Sequence, residues 1–247
     1  IQQMEYKKQL FYKEKQVYEI MQKLGSIKNP NLNPIIPCEE IFYYRNKMEF
    51  TFSDNPWYIE DELYEDVIIG LHVPKRFDKI LNINTCHIND KRFNDIISIA
   101  KDVSNNEKMV AYNVVKHTGF LRYLVIRSGV HTKELMINIV TSGFNKKAMK
   151  SFSDKILKEI PEITSIVNTI NAEKNNTAKG HTKIIYGKSY IHEKIGEHKF
   201  KISPNSFFHT NSYQVKTLYE YIIKAANFNK DEIVYDLYCG TGTIAIY

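Results

Sequence analysis

Cysteine is scarce in this chain: three residues, Cys38, Cys86 and Cys239, are spread over 247 positions. An odd number at such wide spacing provides no disulfide framework and fits a reducing compartment, so a cytoplasmic protein is expected. Long apolar runs are missing too, which leaves no stretch suited to crossing a bilayer and no membrane partner to expect. The start shows no basic segment followed by an apolar one, so nothing suggests secretion. Proline is sparse, seven in all, and three of the seven fall in residues 29–37, which therefore read as a loop or linker. Internal repeats and low-complexity tracts are absent, which excludes solenoids and coiled coils. Charge is not strongly one-sided: 34 Lys plus Arg against 28 Asp plus Glu leave a net charge of +6. That excess is compatible with a polyanionic partner without requiring one.

What is present, 43% hydrophobic and 25% charged residues, is the make-up of a globular protein of one large or two smaller domains. The most informative stretch is the last, residues 233–247, reading I-V-Y-D-L-Y-C-G-T-G-T-I-A-I-Y. A β-branched and aromatic run (Ile233, Val234, Tyr235) leads through Asp236 into Gly240 and Gly242, and a second apolar segment begins. A buried parallel strand that breaks at glycines and feeds a helix is the pattern of a first βα turn in a doubly wound sheet. Glycine there allows a sharp turn and close approach of a ligand, or simply a tight connection. Asp236, at the strand end, is placed to accept hydrogen bonds from a ligand or to fix the loop.

Upstream, Leu10, Val17, Ile20, Met21 and Leu24 have helical spacing over residues 4–24, with Gly25 as the stop. Lys7, Lys8, Lys13 and Lys15 on that helix suit either an RNA-facing surface or a solvated face. Residues 43–53 read as a half-buried strand, Met48, Phe50 and Phe52 alternating with polar side chains. Arg45 and Lys47 lie on its other face beside Tyr43 and Tyr44, a mixture that suits phosphate contact and base stacking or an ordinary exposed face. Residues 66–73 read as a second strand, joined to the first across an acidic loop. A helix through Ile96, Ile97 and Ile99 follows residues 81–90. The apolar runs at 110–130 and 134–142 read as a hairpin turning at 129–133 and carrying Arg122 and Arg127. A helix at 144–160 stops before Pro161, and 163–172 is again strand-like. The polar segment 173–182 reads as a mobile loop. Further short strands at 184–186 and 190–200 precede a helix carrying Val215, Leu218, Tyr219, Ile222 and Ile223. The expected class is α/β: a mixed α+β central domain, then the first strand and turn of a Rossmann-like domain.

Residues 236–243, D-L-Y-C-G-T-G-T, resemble the S-adenosylmethionine loop of class I methyltransferases in the form used by RNA uracil-5-methyltransferases. There an aromatic residue and a cysteine precede the glycines. Three further blocks resemble the same family in the same order: residues 44–52 (Y-R-N-K-M-E-F-T-F), 121–128 (L-R-Y-L-V-I-R-S) and 201–211 (K-I-S-P-N-S-F-F-H-T-N). Together they resemble the 23S ribosomal RNA uracil-5-methyltransferases most.

The resemblance implies a helix and linker in residues 1–37, an RNA-recognition domain in 38–200 and the start of a methyltransferase domain in 201–247. It implies S-adenosylmethionine as cofactor and 23S rRNA as partner; nothing in the sequence marks an oligomer, and a monomer is expected. Tyr238 and Thr243 match cofactor-contacting positions, and Gly240 and Gly242 let the backbone approach the cofactor's methionine part. Arg45, Lys47 and Arg122 would face RNA, and Phe207 would pack near its bases. His209 stands where the family has a glutamine that contacts the cofactor region, and a neutral imidazole offers one donor and one acceptor from a shorter reach. Cys86, by default a small buried residue, matches the last ligand of a 4Fe–4S cluster whose other three cysteines precede the first helix in the family. A four-thiolate cluster cannot form on one cysteine, so Cys86 is expected to be free here and a ligand only in a longer parent. The family's nucleophilic cysteine and base lie well beyond the glycine turn, so Cys239 is not the nucleophile. The chain reads as an internal fragment, inactive alone. A tRNA uracil-5-methyltransferase and a non-catalytic RNA-binding module are the alternatives, with Cys86 leaning against the first.

Overall fold

The computed structural model describes residues 3–57, 67–229 and 231–247. They form two compact units, residues 1–41 and 42–247. In the first, helix α1 (Tyr6–Lys23) matches the expected periodic run, and none of its side chains is buried. Ser26, not Gly25, takes the left-handed conformation (φ 55°), and Ile27 N–H closes back on Met21 O at 3.1 Å. The linker is pinned to the helix where the Tyr6 hydroxyl accepts from Cys38 N–H at 2.7 Å.

The second unit is built on strands β1 (Lys47–Ser53), β2 (Ile68–His72), β3 (Ile80–Asn82), β4 (Leu121–Ser128), β5 (Leu135–Thr141), β6 (Ser165–Ile170) and β7 (His181–Gly187). They lie in the order β3-β2-β1-β4-β5-β6-β7, every pair antiparallel except β5–β6. That parallel pair needs a crossover, which helix α3 (Lys146–Glu159) supplies. Asn145 caps α3, accepting from Ala148 N–H at 3.1 Å. Helix α2 (Arg92–Asn106) joins α3 in the same apolar core.

Alternation decides which side chains enter that core. Met48, Phe50 and Phe52 of β1 point inward, as their spacing predicts, and meet Phe93, Ile96 and Ile97 of α2 and Phe152 of α3. Phe50, Phe93 and Phe152 are fully buried, so truncating any of them to alanine would cost about 3–5 kcal/mol. β4 and β5 are buried along their whole length, because the second sheet face is covered as well, with Ala178 of a loop packed on Tyr123, Val125 and Val140.

A smaller cluster lies beyond β7. The hairpin of β8 (Ile191–Ile195) and β9 (His198–Ile202) packs with helix α4 (Ser212–Ala226) around Ile191, Ile195, Phe200, Ile202, Phe208, Val215 and Tyr219. Met136 of β5 joins that cluster and links it to the large sheet.

Two expectations are corrected. Residues 110–120 form turns and isolated bridges, and the strand begins only at Leu121, next to an irregularity at Leu121/Tyr123. Residues 233–235 form no strand: Ile233 is 80% and Tyr235 78% exposed. A parallel strand is held by neighbours on both edges, and among the described residues none lies beside this run. The expected strand at 66–73 is present as Ile68–His72, while Asp66 and the acidic loop before it lie outside the described residues.

Candidate functional site

The segment 203–211, between β9 and α4, is where the predicted residues meet. Two successive phenylalanines face opposite ways. Phe208 is 4% exposed and anchors the segment in the smaller core, so Phe207, 68% exposed, is turned to solvent. Asn211 caps α4, its side-chain oxygen accepting from Tyr213 and Gln214 N–H at 3.1 and 3.2 Å.

The sheet holds this segment through buried polar groups that the sequence did not single out. Asn46, just before β1, donates from its backbone to Thr210 O (2.9 Å) and from Nδ2 to His209 O (2.9 Å) and Ser212 Oγ (2.8 Å). Ser212 Oγ donates on to Glu193 Oε2 at 2.6 Å. That carboxylate, wholly buried, also accepts from Val130, His131 and Lys194 N–H, so its charge is met by fixed donors. Arg127 Nη2 donates to Ser206 O at 2.7 Å, while its buried Nε finds no partner among the described residues. Burial pulls the Arg127 guanidinium down to about 10, which still leaves it charged at neutral pH. Only the hydrophobic register of β4, which points Arg127 away from the Leu124 and Ile126 face, hinted at this role.

On the outer side of the segment the His209 ring sits edge-on between Phe207 and Tyr219, at 5.6 Å from each. Burial lowers the His209 pKa below 6.5, which keeps the imidazole neutral. The Tyr219 hydroxyl shares a 2.6 Å hydrogen bond with Thr243 Oγ1 and is pushed up chiefly by burial, with the Asp236 charge adding to it. Asp236 Oδ2 is buried with no hydrogen-bond partner among the described residues. The glycine turn comes back to the same place, where Thr241 Oγ1 donates to Phe207 O at 3.3 Å. Gly240 and Gly242 are left-handed (φ 57° and 70°), as a turn of this kind needs. A Cβ on Gly240 would meet only Phe207 Cδ1 at 3.9 Å and Tyr238 O at 4.0 Å, so the space in front of the backbone is open. Tyr238 is itself left-handed (φ 66°) and fully exposed.

The structure thus links Phe207, His209, Gly240 and Thr243 through Tyr219 and Phe207, places Asp236 within electrostatic reach of the Tyr219 hydroxyl and leaves Tyr238 pointing to solvent. Thr243 is buried, its hydroxyl turned to Tyr219. Arg45 lines a cleft near the start of α4, its Nε donating to Lys47 O at 3.1 Å. Lys47 is half-buried and lies across from Arg127 in the β1–β4 register; burial, then the Arg127 charge, lowers its pKa.

Arg122 does not present a free cation. It is 3% exposed, donates to the carbonyls of Asn171 and Glu173 at 2.7 Å each and to that of Asn175, and lies over the Tyr112 ring at 4.2 Å. The loop that the sequence marked as mobile is therefore clamped at its base. Cys86 is half-buried against the main core. Among the described residues no three His, Cys, Asp or Glu side chains come together to hold a metal, so these residues do not fit a four-thiolate cluster. Among the described residues no helix is long and apolar enough to cross a membrane.

No protein-family model matches the chain. A protein of Chlorobaculum tepidum named as an uncharacterized RNA methyltransferase is 34% identical over 251 residues, covering 98% of this chain and 52% of the relative. An uncharacterized RNA methyltransferase of Oceanobacillus iheyensis is 36% identical over 255 residues, covering 100% and 52%. Among solved structures, the tRNA (uracil-54, C5)-methyltransferase of Pyrococcus abyssi in complex with S-adenosyl-L-homocysteine matches with a TM-score of 0.73 and 29% identity, over 99% of this chain and 53% of that one. The chain spans about half the length of these relatives. The mixed α/β class read from the sequence is thus found again in a methyltransferase structure.

Proposed function

We propose that this chain is part of an S-adenosylmethionine-dependent RNA methyltransferase that modifies carbon 5 of a uridine. The observation that carries the reading is that the left-handed glycine turn returns to Phe207, whose ring meets His209, while Asp236 Oδ2 is buried with no hydrogen-bond partner among the described residues. The RNA methyltransferase relatives and the likeness to a uracil C5 enzyme support it. When bound, S-adenosylmethionine would supply an electrophilic methyl group. The open backbone at Gly240 would admit the cofactor, and Asp236 would accept a hydrogen bond from it. Neutral His209 offers one donor and one acceptor between cofactor and base, and the exposed Phe207 ring offers a stacking face for a nucleobase. A thiolate that adds to carbon 6 of uracil makes carbon 5 nucleophilic, and a base must then remove the carbon 5 proton. Neither role falls to a residue of this chain, Cys239 included. Residues 201–247 would open the methyltransferase domain of a monomeric, cytoplasmic protein, with 38–200 recognising RNA.

Two RNA targets follow from different observations. The sequence blocks and Cys86 favour 23S rRNA in a parent with a cluster, whereas the Pyrococcus abyssi likeness favours tRNA. The full-length protein should release tritium from RNA labelled at carbon 5 of uridine when S-adenosylmethionine is added, with 23S rRNA and tRNA transcripts tested side by side. Methyl incorporation without tritium release would overturn carbon 5 as the site, and whichever transcript reacts decides the target.

A further inference from the structure

A cleft of about 410 Å³ opens beside the N-terminus of α4, lined by Tyr43, Arg45, Lys91, Lys133 and Tyr213 and by the Asp90–Arg92 pair. Its size falls in the range of about 300–1,000 Å³ typical of sites for small ligands. Four cations face one carboxylate, and that carboxylate is already engaged: Arg92 Nη2 and Nε reach Asp90 Oδ2 and Oδ1 at 2.6 and 3.1 Å. Lys91 and Lys133 are exposed, and among the described residues neither forms an ion pair. Lys91 Nζ instead sits 4.7 Å from the centre of the Tyr43 ring. Tyr43 and Lys133 both hold the left-handed backbone (φ 53° and 61°), a conformation that side-chain-bearing residues adopt rarely. It turns an aromatic face and an ammonium into the same opening.

The chemistry that fits is an anion joined to a flat ring. Cations without acidic partners suit a phosphate, and the two tyrosines give a base faces to stack on. The cleft also adjoins the segment described above through the backbone. Arg45 pairs as an isolated bridge with Asn211, and Asn46 holds the backbone of His209 and Thr210. A strand presenting one base at Phe207 would therefore carry a neighbouring nucleotide past Tyr213.

We propose that this cleft binds a single-stranded RNA nucleotide flanking the target, with its phosphate on Lys91 and Lys133 and its base against Tyr43 or Tyr213. The proposal rests on the reading that the Phe207–His209 segment meets an RNA base.

The test uses the full-length protein and a short fluorescent oligouridylate carrying photoreactive uridines. We expect crosslinks to Tyr43 or Tyr213 from a different nucleotide than the one that reaches Phe207. The K91A/K133A double variant should bind on the order of tenfold more weakly. Its log affinity against log salt should be shallower by about 0.7, the slope for one neutralised phosphate on a single strand. Tyr213→Leu should lose about tenfold and its crosslink, and Tyr213→Phe should retain both, since a ring is what stacks. Crosslinking at Phe207 with unchanged affinity and salt slope in the double variant would overturn the cleft and leave the proposed function standing. An RNA duplex bound as tightly as the single strand would also overturn it. Failure of the oligonucleotide to bind at Phe207 as well would overturn both.

Discussion

Arg127 and His209 act on the same segment through different physics. Arg127 is a buried cation without a carboxylate partner among the described residues, and it directs a charged hydrogen bond at Ser206 O. Arg127→Met removes a desolvated charge, so global stability should change little or rise. The Ser206 carbonyl, however, loses a bond worth about 1.5–3 kcal/mol, and amide exchange across 206–211 should quicken. Hydrogen exchange compared with a thermal melt separates the two effects, and unchanged exchange would rule out the anchoring role. His209 is pH-sensitive. Its folded pKa lies below 6.5, so between the two values the unfolded chain holds more protons and stability rises with pH. That contribution is complete above about pH 6.5 and is lost as pH falls through the lower folded value. Melting His209→Gln beside the parent chain at about pH 7.5 and pH 5 should show the smaller acid loss in the variant. Asp236 and Gly240 could be singled out as candidates because a carboxylate and a glycine turn are local features of the sequence, whereas Phe207 was reached only through the family resemblance. Asn46, Glu193 and Ser212 were not legible, because each matters only through partners distant in the sequence.

Among the elements, β1 and α2 were readable from periodicity alone, since Met48, Phe50 and Phe52 alternate and Ile96, Ile97 and Ile99 follow the helix. The loop after β6 was not. Its composition is that of a mobile segment, but Arg122 binds three of its carbonyls. Arg122→Met should therefore lower stability by on the order of 3 kcal/mol, because three charged hydrogen bonds of about 1.5–3 kcal/mol each outweigh the relief of a desolvated charge, which the single bond of Arg127 does not. It should speed tryptic cleavage at Lys174 and Lys179 and leave oligouridylate affinity nearly unchanged. A stable, protease-resistant variant with weakened RNA binding would return Arg122 to the RNA surface. The run at 233–235 shows the opposite error, a strand-like sequence with no strand beside it among the described residues.

For the whole molecule, a seven-stranded sheet with α2 and α3 in the core of one face carries the candidate site at its junction with the β8–β9 hairpin and α4. With no assigned nucleophile, the 247-residue chain given S-adenosylmethionine and RNA should incorporate no methyl group, and Cys239→Ala should make no difference. Turnover that Cys239→Ala abolishes would make that cysteine the nucleophile. The sequence by itself determined the apolar faces, the helix and turn signals and the resemblance of four blocks, because each depends on residues close together along the chain. Only the tertiary structure decided that Arg122 is a clamp, that Arg127 and Asn46 hold the Phe207 segment, and that Tyr43, Lys91, Lys133 and Tyr213 share one cleft. Those outcomes depend on which strands pair and on what burial does to a charge, and neither is encoded at any single position.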